Sequence, residues 1–180
     1  MPASQNAYNA RVFVMNSAVL ALRQSKPLSA ATTVVSAGAL AAALDLLFAF
    51  TFYGMRGTNP VRILQVIGSG WFGKASFSMG WTSATAGLVS HFAILIFAAW
   101  LFFLAARHLP LLTRNAWLSG MAFGTAVYVV MNYIVVPLSA VPQSGGGRAI
   151  ESVLGELASH LFFVGVPIAL LVRRYYRSAS

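Results

Sequence analysis

The side chains whose types and spacing could do chemistry are Asp45, His91, Glu156 and His160, with Tyr128 and Asn132 beside them. Asp45 is the only charge between Lys26 and Arg56. An ionisable group within so long an uncharged run costs roughly 2.5–3.5 kcal/mol on insertion scales and is seldom kept without a partner. Glu156 and His160 stand four residues apart, hence on one face of a helix, while His91 comes from a different segment. Chains of Asp, Glu and His are the usual parts of proton and ion relays within membranes. A carboxylate and an imidazole at a four-residue step, facing His91 and Asp45, are also a metal-ligand pattern, and two histidines on two helices could bracket a haem. The plainest alternative is interhelical hydrogen bonding that only fixes packing, worth on average about 0.6 kcal/mol per bond. No wider signature singles out a haem or any other cofactor, so none is assigned.

These groups need elements to carry them, and composition says which. Hydrophobic residues make up 58% of the 180-residue chain and charged residues 8%, against about 25% charged in a soluble domain. So little charge cannot cover a soluble surface. The expected fold class is all-α, an integral membrane four-helix bundle whose first partner is the lipid bilayer. Four spans follow: about Ala30–Tyr53, Thr82–Ala106, Asn115–Val136 (ended by Pro137) and Ile150–Val172. At 1.5 Å per residue each can cross a ~30 Å hydrocarbon core. They form a transmembrane domain over 30–176. The cytoplasmic segment 1–29 precedes it, and its apolar stretch Val12–Leu22 is too short to span and suits an interfacial helix or a loosely ordered extension. Between the first two spans, Asn59-Pro60 opens a short helix, Pro60–Ile67, expected on the outer surface.

Orientation follows from Lys and Arg. The N-terminal segment holds Arg11, Arg23 and Lys26, the second connection Arg107 and Arg114, and the tail Arg173, Arg174 and Arg177. Arg56, Arg62 and Lys74 in the first loop and Arg148 in the third oppose them. Eight against four puts both termini in the cytoplasm. The formal charge of +9 is thus juxtamembrane rather than a nucleic-acid face. The absence of cysteine excludes disulfides, thiolate metal sites and Cys nucleophiles.

Depth brings the polar groups to similar levels. Counted from the outer helix ends, Asp45 lies about 12 Å down, His91 about 13 Å and His160 about 15 Å, with Asn132 and Glu156 at about 6 and 9 Å. Each also extends a seam of small or polar residues: Gly38, Ala42, Asp45, Ala49; Ser83, Gly87, His91; Gly120, Gly124, Tyr128, Asn132; Ser152, Glu156, His160 with Ser159 alongside. Small residues at such steps mark close helix contacts, so the polar groups are expected to point inward and converge.

Gly68-Ser69-Gly70-Trp71-Phe72-Gly73 matches a dinucleotide-binding pattern, and with Lys74 it nearly makes a phosphate loop. No strand–helix unit surrounds it, and Ala75 replaces the hydroxyl that would hold Mg²⁺, so no nucleotide is expected. The glycines predict a tight re-entrant or interfacial turn, and Gly145–Gly147 a flexible loop.

Asp45-Leu46-Leu47, Ile63–Gly70, Gly87–Phe92, Tyr128–Ala140, His160 and Gly165-Val166-Pro167 together resemble small multi-pass inner-membrane proteins of Gram-negative bacteria, distantly similar to the YagU-like proteins. The resemblance covers about Ala30–Arg174. It implies a four-helix inner-membrane protein and carries no activity, ligand or functional residue with it. The expected role is non-enzymatic, either passage or binding of a proton, ion or small solute at the polar core, or a scaffold whose core fixes helix register. A metal- or haem-binding protein is the further alternative. So small a bundle leaves little room for a path, and a pore would call for a homo-oligomer.

Overall fold

The computed structural model describes residues 8, 12–14, 29–143 and 148–178, and among these it is helical with no strand. Most of Val12–Leu22 therefore lies outside the described residues; Val12, Phe13 and Val14 are helical and exposed. Helix α1 is Ala30–Gly54. It starts where Ser29 Oγ accepts from the Thr32 amide at 3.1 Å, satisfying a donor that the first turn leaves free. Helix α2 is Pro60–Phe72, capped by Asn59 Oδ1 on the Arg62 amide at 2.8 Å, with proline in the first turn, where its missing N–H costs nothing. A 3₁₀ segment, Gly73–Ser78, leads into α3, Trp81–His108. A one-turn α4, Leu111–Arg114, precedes α5, Ala116–Leu138, and α6, Ile150–Ser178. Helices α1, α3, α5 and α6 are each long and apolar enough to cross a membrane.

Among the boundaries that differ from expectation, two have a clear local cause. Helix α5 runs through Pro137 to Leu138, and α6 runs past Val172 to Ser178. The reason in α5 is a widened π turn over Met131–Val135. The Val136 amide reaches back five residues to the Met131 carbonyl, re-spacing the ladder just before the residue that cannot donate. Helix α6 repeats the device: His160–Gly165 forms a π turn, the Val166 amide meets the Leu161 carbonyl, and Pro167 follows. At the far end of α6, Arg173, Arg174 and Arg177 continue the helix, because Arg is a good helix former and a charge need not end the hydrogen-bond ladder.

Helices α1 and α6 pack together in the middle, α3 lies along α1, and α5 along α6. The main core gathers Val34, Ala37, Ala41 and Ala42 of α1, Leu95, Ala99 and Phe102 of α3, and Val164, Ile168, Ala169 and Val172 of α6. Small residues let backbones touch. A Cβ on Gly38 would overlap the Ile96 backbone; one on Gly120 would sit 2.8 Å from Val166 Cα; one on Gly124 would overlap the His160 carbonyl. Helices α3 and α5 meet through the edge-to-face pair Phe102–Phe123, centroids 5.0 Å apart, and then leave an apolar cleft of about 470 Å³ between them.

The glycine-rich motif is not a turn. Gly68 to Phe72 belong to α2, which is longer than the expected Pro60–Ile67. Gly68 abuts the Ser83 carbonyl and Gly87 abuts the Leu64 carbonyl, so these glycines serve a close crossing of α2 over α3. Within the motif only Gly73, with φ +56°, takes a positive-φ backbone that favours glycine, and it ends the helix. Two buried hydrogen bonds, Ser76 Oγ to the Gln65 carbonyl at 2.7 Å and Ser83 Oγ to the Ser76 carbonyl at 2.6 Å, and a half-buried one, Gln65 Nε2 to the Gly80 carbonyl at 3.1 Å, lock this corner. The Ser83–Gly87 seam thus receives α2, whereas His91, one turn further along α3, turns to α1.

Candidate functional site

Asp45 sits one turn after Ala42 on α1, with its side chain 15% exposed; His91 of α3, at 12%, packs against both. The His91 Nε2–H donates to the Ala42 carbonyl at 3.0 Å and lies 3.8 Å from Asp45 Oδ2. A carbonyl oxygen can only accept, so Nε2 carries the proton and Nδ1 is the basic nitrogen of the neutral ring. From α6, Ser159 Oγ donates to Asp45 Oδ1 at 2.5 Å. One carboxylate therefore joins three helices.

Glu156, three residues before Ser159, is a turn away along α6 and has other partners. Tyr53 at the end of α1 donates its hydroxyl to Glu156 Oε1 at 2.5 Å. Arg148 Nη2 pairs with Glu156 Oε2, and Arg148 Nη1 donates to Asn132 Oδ1. Asn132 Nδ2 in turn donates to the Tyr128 carbonyl at 3.1 Å. Arg148 lies on the connection between α5 and α6. Burial opposes its charge, but the hydrogen bond and negative charge of Glu156 outweigh that, and its guanidinium is held charged beyond the ordinary arginine range.

His160 joins neither carboxylate. Its Nδ1–H donates to the Glu156 carbonyl at 2.8 Å within α6, and its ring stands against the Tyr128 ring, centroids 5.5 Å apart at 78°. The six sequence candidates thus fall into two sets: Asp45 with His91, and Glu156 with Asn132, Tyr128 and, beside them, His160. The metal-ligand expectation for His91, Glu156, His160 and Asp45 is not met. Among the described residues no three His, Asp or Glu side chains come together as a metal ion needs. The physical reason is local: Tyr53 and Arg148 occupy both oxygens of Glu156, and the His160 ring is tied to its own helix.

Sequence reasoning missed Tyr53 and Arg148. Both left a signal. Tyr53 continues the Asp45–Ala49 face at the next four-residue step, and Arg148 is the single charge of its loop. Beyond Asp45, toward the end where α1 begins, the space between helices is filled by Val34, Ala37, Leu95, Phe102, Val164 and Ile168. The candidate groups run from Arg148 to Asp45 and stop there; Thr33, buried near the start of α1, gives its hydroxyl to the Ser29 carbonyl.

No family model, no curated protein and no solved structure matches the chain.

Proposed function

We propose that this chain is a multi-pass protein of the bacterial inner (cytoplasmic) membrane, with both termini cytoplasmic, whose Asp45–His91–Ser159 group takes up and releases a proton from the Arg148 end. The eight-to-four charge count and the resemblance to YagU-like proteins support the placement. The observation that carries the proton reading is the Asp45 carboxylate with the His91 ring 3.8 Å away, at the closed end of the polar groups. His91 Nδ1 accepts the proton, while Nε2–H keeps its bond to the Ala42 carbonyl and holds the ring in place. Asp45 stabilises the resulting imidazolium, and the Ser159 hydroxyl keeps the carboxylate turned toward it. The apolar core beyond favours binding over passage through a single bundle. Across a full membrane, passage would need a second copy or another conformation.

The test is proton uptake by the protein in micelles, read on the His91 ring resonances and on the carboxylate infrared band. Asp45→Asn and His91→Phe should each abolish the coupled change. A second reading, a scaffold whose polar core only fixes register, draws on the fact that every buried side-chain nitrogen and oxygen among the described residues has a hydrogen-bond partner. On that reading both variants lose thermal stability, and no proton uptake is found in the wild type.

A further inference from the structure

We propose that Glu156 and Asn132 form a binding site for a small organic cation of the guanidinium class, a site that Arg148 of the same chain fills as an internal ligand. The acceptors come from two spans, Glu156 from α6 and Asn132 from α5, and they receive two different nitrogens of one planar guanidinium, Nη2 and Nη1. That is the geometry in which a planar fork of donors outdoes a single ammonium. Neither acceptor depends on Arg148 for its orientation. The other Glu156 oxygen is held by the Tyr53 hydroxyl at 2.5 Å, and the Asn132 amide by its own bond to the Tyr128 carbonyl at 3.1 Å. With the guanidinium withdrawn, Oε2 and Oδ1 still face the same point, which is the preorganisation that a ligand site needs.

Access is built in as well. Arg148 is carried by a connection and not by a span, and its side chain is 43% exposed, so the cradle opens outward. The acceptors are fixed on rigid helices while the cation that fills them sits on a loop, which is the arrangement of a competitor that can yield. A ligand with two adjacent N–H donors on a planar cation takes the place of Arg148, pairs with Glu156 Oε2 and donates to Asn132 Oδ1. Glu156 has a counter-charge both before and after the exchange. Occupancy of this cradle does not require proton uptake at Asp45, so either proposal can fail alone.

The test titrates methylguanidinium into the detergent-solubilised full chain, by calorimetry and by thermal shift. Arg148→Ala should bind it saturably. The wild type should bind about tenfold more weakly or less, because the internal guanidinium lowers the fraction of open sites. Adding Glu156→Gln to Arg148→Ala should abolish saturable binding, and tetramethylammonium, a cation without N–H donors, should not bind. Where Arg148→Ala does not fold, Arg148→Gln carries the same titration. If neither folds alone, methylguanidinium present during purification should restore the fold of Arg148→Ala. A folded variant without saturable binding, equal binding of tetramethylammonium, binding that survives Glu156→Gln, or failure of that rescue would overturn the proposal.

Discussion

At the residue scale, Asp45 depends on a hydroxyl from another helix. Ser159 is 2% exposed and gives Asp45 its shortest bond, 2.5 Å. Ser159→Ala removes a hydrogen bond to a carboxylate and puts nothing in its place, so a loss of about 1.5–3 kcal/mol is expected in thermal or denaturant unfolding in micelles. Tyr53→Phe deletes the corresponding bond to Glu156. Combined with Glu156→Leu, which removes the acceptor, it should cost clearly less than the two single losses together, because both variants break the same contact; additive losses would refute that coupling. Arg148→Ala breaks an ion pair 43% and 26% exposed, and its effect on stability should be small, about 1 kcal/mol or less. That contrast is physical. A hydroxyl buried between helices cannot be replaced by its surroundings, whereas a half-open charge pair is screened.

At the element scale, the glycines rank themselves by what a methyl group would meet. Gly124→Ala drives a Cβ into the His160 carbonyl, part of the π turn of α6, and backbone cannot swing aside. It should destabilise by about 1–3 kcal/mol or more and shift the His160 ring resonances. Gly155→Ala first meets the Phe52 ring, at 2.6 Å, and a side chain can rotate away, so a milder loss is expected. Gly54 has open space around its Cβ position and is helical, so Gly54→Ala should be neutral or stabilise by up to about 1 kcal/mol. Melting temperatures of the three variants, measured side by side in one detergent, check the order. The seams were legible because close packing leaves small residues at regular steps. Their partners were not: Ser83 and Gly87 read as part of the bundle interior, and only the fold shows that α2 takes them.

At the scale of the whole molecule, antiparallel packing of α1 and α6 places the start of α1 near the end of α6, with Arg148 at the opposite end. The polar groups occupy the Arg148 end, and the alanine-rich core of α1, α3 and α6 occupies the other. Reporter fusions after Gln143 and at the C-terminus test the orientation. The C-terminal fusion should read cytoplasmic and the Gln143 fusion periplasmic; a cytoplasmic signal from Gln143 would invert the placement and turn the polar mouth inward. If the charge count sets the orientation, replacing Arg173, Arg174 and Arg177 with Gln should weaken the bias measurably.

Composition and spacing alone were enough for the helical class, the four candidate spans and the polar side chains that interrupt them. Each of these is a property of local sequence: a run is apolar over some twenty residues or it is not, and Asp45 is conspicuous by having no charged neighbour along the chain. Which groups meet is a property of helix rotation and tilt, and spacing constrains these only to a face. Small differences in rotation put Asp45 beside His91 and Ser159, sent Glu156 to Tyr53 and Arg148, and tied His160 to its own helix. The π turns before Pro137 and Pro167 belong to the same class of facts, since a proline announces a disturbed ladder without saying whether the helix ends or widens. In α6 the packing on both sides of the break, Ser159 before it and Ile168 and Ala169 after it, keeps the helix in line while it widens.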